Sequence, residues 1–119
     1  MIKKDCLFCK IIAGEIPSEK VYEDDIIYVF HDIKPSAPVH VLAAPKIHMD
    51  SLDDVNANQS NTDSVAHIFK KIPEIAKTLG FLNGYRVIIN VGEDGGQSVK
   101  HLHVHVLGGG KLPLQLTAG

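Results

Sequence analysis

The sequence predicts an α+β domain: an antiparallel five-stranded sheet with one main helix and a short N-terminal helix. Three observations carry this expectation. Short runs rich in β-branched and aromatic residues recur between brief turn segments, as in an antiparallel sheet. Val65, Ile68, Phe69, Ile72, Ile75, Ala76 and Leu79 recur at helical spacing and define one apolar face. His101, His103 and His105 alternate with Leu102, Val104 and Val106, which is the period of a strand and not of a helix.

Taken in order, residues 6–13 read as a short helical turn stopped by Gly14. Residues 19–23 and 26–31 are expected as two strands of a hairpin around Asp24-Asp25. Pro35 and Pro38 bracket an irregular loop. Residues 39–44 form a third strand ended by Pro45, and His48 lies just beyond it. Residues 51–55 suit a single turn, and residues 56–61 are polar and expected in solvent. Thr62 or Asp63 is the expected cap of the long helix, and Gly80 is its expected stop. Pro73 falls inside that helix, where it removes a donor and is expected to kink or split it. Residues 85–91 and 100–107 are the fourth and fifth strands, joined by the glycine-rich loop 92–97. The tail after Gly110 has little pattern of its own.

The chain has 119 residues, suggesting one domain, 1–119, with room for a core that needs no staples. A net charge of −2 does not favour nucleic acid or a membrane surface as partner, and no apolar run approaches a membrane span. The N-terminal Met1-Ile2-Lys3-Lys4 is followed by too short and broken an apolar stretch for a secretory signal, so the cytoplasm is the expected location. In a reducing compartment, Cys6-x-x-Cys9 suits a metal half-site or a redox pair.

Imidazole can act as nucleophile, acid–base group or metal ligand. Three on one strand face imply chemistry, since buried polar groups each need a partner. A neutral imidazole can attack phosphorus and leave again. His103, flanked by the other two, is the best-placed nucleophile, with His105 and Ser98 in support. The loop before them brings glycines, Gln97 and Ser98, whose donors suit a phosphate; alone it also reads as a hairpin turn. A metal held by all three histidines is the rival, strained because alternate side chains on a strand start about 7 Å apart. For the cysteines, His48 and His101 could complete a Cys2His2 zinc site; the other possibility is two free thiols in a core turn. Asp32, at a strand end, could accept from ribose hydroxyls or simply serve a turn. His40 and His67 receive no role.

Residues 101–107 match at every position the His-φ-His-φ-His-φ-φ pattern, φ being apolar, and so resemble the histidine triad (HIT) family. Phe8-Cys9-Lys10-Ile11-Ile12, Glu15-Ile16-Pro17, Phe30-His31-Asp32-Ile33, Pro45-Lys46-Ile47-His48 and Asp94-Gly95-Gly96-Gln97-Ser98-Val99 extend the resemblance to its nucleotide-binding branch. The resemblance implies a homodimer whose sheets join, a purine nucleoside monophosphate site, and hydrolysis of phosphoramidates such as adenosine 5′-monophosphoramidate. It implies His103 as the nucleophile forming a nucleotidyl-histidine, and His105, Ser98 and Asn90 on the phosphate beside the Gln97–Val99 backbone. Asp32 would hold the ribose, and Phe8, Ile11, Ile16, Phe30 and Ile33 the base. Zinc would be held by Cys6, Cys9, His48 and His101. A regulatory nucleotide-binding scaffold, and a dinucleoside polyphosphate hydrolase or nucleotidyl transferase, are the alternatives. The tail 111–119 lacks the Trp-containing ending of the animal-type members, which bears on the leaving group, and Pro73 is a second departure from that type.

Overall fold

One carboxylate organises the first hairpin. Asp24 Oδ1 accepts the N–H groups of Ile26 and Ile27 at 2.8 and 2.9 Å, which turns the chain back on itself. The structure, a computed structural model, describes residues 3–114. Its elements are α1 (Leu7–Ile12), β1 (Lys20–Glu23), β2 (Ile27–His31), β3 (Val39–Pro45), a 3₁₀ turn (Leu52–Asp54), α2 (Gln59–Thr78), β4 (Arg86–Ile88) and β5 (Val104–Gly108). The strands form one antiparallel sheet in the order β1-β2-β3-β5-β4, so the expected α+β architecture holds.

Strand alternation divides the sheet into two unlike faces. Ile27, Val29, Val41, Ala43, Val104 and Val106 pack against Val65, Ile68, Ile72, Ile75 and Ala76 of α2. Ile68 is fully buried, a contribution of about 2 kcal/mol. On the other face Tyr28, Phe30 and Leu42 pack against Cys6, Phe8, Cys9 and Ile11 at the start of the chain. α1 lies there, and so does His105, which pairs with Leu42.

Four expectations need correction. β5 begins at Val104, not residue 100, because its ladder with β3 stops at Ala43↔Val104 and β3 ends at Pro45. Upstream, Leu102 N–H donates instead to Met49 O at 2.8 Å. The alternation still persists, with Leu102 in the core beneath α2. β4 spans only three residues, Arg86–Ile88, paired with Leu107, Val106 and His105, and its ladder stops one residue short of the start of β5. α2 starts earlier than expected: Asn58 is the cap and accepts Asn61 N–H at 2.8 Å. Buried Asn61 in turn donates its amide to Asp54 O at 2.8 Å. Finally, α2 is not split at Pro73. Pro73 is exposed and Phe69, whose carbonyl it leaves without a partner, is 45% exposed, so water can take that carbonyl.

His67, given no role by the sequence, ties α2 to the hairpin by donating Nε2–H to Asp24 Oδ2 at 2.7 Å, where Tyr22 OH also donates at 2.7 Å. Burial opposes ionisation of Asp24, but the bonds from His67, Ile27, Tyr22 and Ile26 outweigh it and hold the carboxyl well below its ordinary range. A depressed carboxyl contributes stability above its unfolded value and loses it as pH falls through the folded one. Asp24→Asn is expected to cost about 1–3 kcal/mol at pH 7. It should also flatten the acid loss of stability below about pH 4. Urea unfolding across pH reads both; identical wild-type and variant midpoints would remove Asp24 from this role.

Candidate functional site

A neutral imidazole carries one ring proton, so a fixed partner at one nitrogen decides the state of the other. His103 Nδ1–H donates to the His101 carbonyl at 2.7 Å, which leaves a lone pair on Nε2. Burial pushes the His103 pKa below its ordinary value, so the ring is neutral near pH 7. Phe8 of α1 meets it edge-on, centroids 4.9 Å apart at 82°, and Phe30 packs on Phe8 at 5.4 Å. The ring is therefore held by one main-chain atom and a pair of aromatics.

His40, also passed over by the sequence reading, is 2% exposed and sets the state of His105. Ser36 N–H donates to His40 Nδ1 at 3.0 Å. Burial keeps this imidazole neutral against the pull of Asp32, so its proton sits on Nε2 and is donated to His105 Nδ1 at 2.8 Å. Asp32 Oδ2 lies 3.5 Å from the same Nε2. His105, with its pKa lowered to about 4 by burial and then by His103 and His40, carries its one proton on Nε2. Asn90 Nδ2, itself a donor, lies 3.5 Å from that nitrogen, so the two N–H groups stand side by side and do not bond to each other. His103 and His105 stand 4.9 Å apart, one presenting a lone pair and the other an N–H. Had the strand order been readable, His40 could have been found, because it lies on β3 two residues before Leu42, the partner of His105.

The remaining residues are less uniform. Asp32 Oδ1 accepts Lys34 N–H at 2.8 Å. Gln97 braces the glycine loop: its N–H reaches Gly92 O at 3.0 Å, and its side chain donates to Asp50 O at 2.6 Å and Val99 O at 2.9 Å. Ser98 is exposed and Val99 half-buried at the loop's end. Phe8, Ile11 and Phe30 are buried together with Ile16 and Val99 against them, whereas Ile33 is 92% exposed.

Cys6, Cys9, His48 and His101 assemble as expected into a group that could hold a metal ion, with all four donor atoms within 4.8 Å of one another. Cys6 Sγ lies 3.3 Å from His101 Nδ1, and Cys9 Sγ lies 3.5 Å from Nδ1 of both His48 and His101. His48 Nε2–H donates to Asp50 at 2.7 Å and His101 Nε2–H to Pro45 O at 2.8 Å, so both Nδ1 lone pairs face the sulfurs. Burial lowers the His101 pKa to about 4 and raises that of Cys9. Asp50 was not singled out from the sequence. Asp32, His40 and His105 also lie close together, but the hydrogen shared by the two imidazoles leaves no pair of lone pairs for an ion. A cavity of about 540 Å³ beside Phe81, Leu82 and Gly109 touches none of these residues. Long-range proton–nitrogen NMR should read His103 as the Nδ1–H form and His105 as the Nε2–H form; the reverse pattern would refute the assignment.

Among the described residues, no helix is long and apolar enough to cross a membrane. The HIT domain model matches residues 13–112. Protein HitA of Neisseria gonorrhoeae is 46% identical over 104 residues, covering 87% of this chain and 95% of that protein. The solved histidine triad protein of Clostridium difficile is 54% identical, with a TM-score of 0.90 over 98% of this chain and 100% of its own. A HIT family hydrolase from Legionella pneumophila Philadelphia 1 is 42% identical, with a TM-score of 0.86 over 92% and 97%. With its buried histidines on the fold these proteins share, the chain belongs to the HIT domain family.

Proposed function

We propose that this protein is a purine nucleoside phosphoramidate hydrolase working through a nucleotidyl-histidine. The observation that carries the reading is the bare Nε2 of buried, neutral His103, set by the His101 carbonyl. Nε2 attacks phosphorus, an N–P bond forms, and the substrate's P–N bond breaks as the amine leaves with a proton from the exposed Ser98 side. Water then attacks phosphorus, the nucleoside monophosphate departs and the imidazole is restored. His105 Nε2–H donates to a phosphate oxygen throughout, joined by Asn90, Ser98 and the 97–99 backbone. Asp32 holds the ribose hydroxyls, and Phe8, Ile11, Ile16 and Phe30 form the base wall, with Ile33 closing it from solvent.

Zinc is the metal the donor set suits. A tetrahedral zinc with sulfur at about 2.3 Å and nitrogen at about 2.0 Å has sulfur–nitrogen edges of about 3.5 Å, against the observed 3.3, 3.5 and 3.5 Å. It would hold α1 to the sheet and polarise nothing at His103. Two free buried cysteines suit a reducing compartment such as the cytoplasm. β4, a short edge strand with Val87 exposed and exposed Tyr85 just ahead of it, is the edge at which a homodimer would join its sheets, and 1–119 is read as a single domain.

His103→Ala should lower adenosine phosphoramidate hydrolysis by at least about 10³-fold. A panel with dinucleoside polyphosphate beside phosphoramidate separates the alternatives: faster polyphosphate cleavage favours that hydrolase, and tight nucleotide binding without turnover favours a scaffold. Metal analysis of protein purified without added zinc should find about one ion per chain. Sedimentation of the same sample should show a dimer. Metal-free monomers with full thermal stability would refute both assignments.

A further inference from the structure

We propose that Cys6 is an oxidation site at which a hydroperoxide converts the Cys6–Cys9 pair to a disulfide and so releases α1 from the sheet. The inference rests on the metal centre proposed above and adds a regulation to it.

Access distinguishes the two cysteines. A cavity of about 380 Å³ opens beside Ser98, lined in part by Lys3, Leu7, His48 and Lys100, and Cys6 is in its wall. Cys9 is not in that wall and is 0% exposed. A small oxidant therefore meets Cys6 first. Cys9 sits one turn later, its N–H donating to Cys6 Sγ at 3.3 Å, and its own sulfur lies within 4.8 Å of that of Cys6.

Connectivity supplies the consequence. A bound metal ties α1 to two places outside it: His48, beyond the end of β3, and His101, ahead of β5. A Cys6–Cys9 disulfide closes within one turn of α1 and ties it to neither. α1 also carries Phe8, which packs on His103 at 4.9 Å, so its release changes the packing of that ring.

The step balances. The Cys6 sulfur attacks a peroxide oxygen, the O–O bond breaks, and a sulfenic acid forms with release of water or an alcohol. The Cys9 sulfur then attacks the Cys6 sulfur, forming the S–S bond and expelling water. The thiols lose two electrons and two protons, or two electrons alone if they start as metal-bound thiolates, with solvent supplying the protons. The metal leaves as an unchanged divalent cation.

The test uses the reduced, zinc-loaded full chain. Its zinc content is measured first, so that a missing metal centre is seen separately from a failed oxidation. Hydrogen peroxide is then added while a chromophoric chelator follows zinc, intact mass follows the thiols, and amide exchange follows α1. Zinc release and loss of two hydrogen masses should share one time course. Exchange within α1 should rise about tenfold or more while β2 and β3 stay protected. Dithiothreitol with zinc should reverse all three. In Cys9→Ser, dimedone should label Cys6. Zinc retained with both thiols intact would overturn the proposal, as would a disulfide that leaves α1 exchange unchanged.

Discussion

The proton inventory of neutral imidazole is the constraint on which the site depends. Each ring has two nitrogens and one hydrogen, and here one nitrogen of each has a fixed partner. The His101 and Pro45 carbonyls take the protons of His103 and His101, Asp50 takes that of His48, and the Ser36 N–H leaves His40 its proton on Nε2 for His105. Five chemically identical side chains thereby acquire different states: a lone pair on Nε2 of His103, an N–H on Nε2 of His105, two lone pairs toward sulfur on His48 and His101, and His40 as a relay behind His105. Burial contributes by keeping His40, His101, His103 and His105 neutral, without which the inventory would not hold.

The sheet makes this possible by giving its two faces different work. The α2 face is an apolar core of ordinary kind, and it fixes the positions of β3 and β5. The opposite face uses those positions to hold polar rings in a setting from which water is largely excluded, roofed by the six residues of α1. α1 is too short to be stable by itself. Its packing through Phe8, Cys9 and Ile11, and the cysteine–histidine group at its start, keep it in place. The proposed nucleophile and the candidate metal centre thus share both a roof and a residue, His101.

Much of this was legible where neighbours in space are also neighbours in sequence, or where a motif names its own partners. The alternation of residues 101–106, the Asp24-Asp25 turn, the stop at Gly80 and the joining of Cys6 and Cys9 with His48 and His101 are of that kind. His40 was not, because its place beside His105 depends on β3 lying next to β5, a pairing across more than half the chain. The cap of α2 was missed for another reason: Thr62 and Asp63 stand just ahead of the first apolar residue of the helix face, whereas the first turn begins in the polar run after Asn58 and is held by the bond from Asn61 to the 3₁₀ turn. Pro73 does not split the helix, because its cost depends on which side of the helix it occupies, and here that side faces water.

The antiparallel register of β3 against β5 sets which kinds of sequence change the family can absorb. Three of the groups that assign protons are main-chain atoms, present whatever side chain stands there. Point substitutions around the site can therefore drift without erasing the proton pattern. An insertion or deletion of one residue between 101 and 105 would behave differently. It would invert the strand's faces beyond the change, sending imidazoles into the core and valines toward the α1 face in a single event. Over evolutionary time, this stretch should vary in composition long before it varies in length.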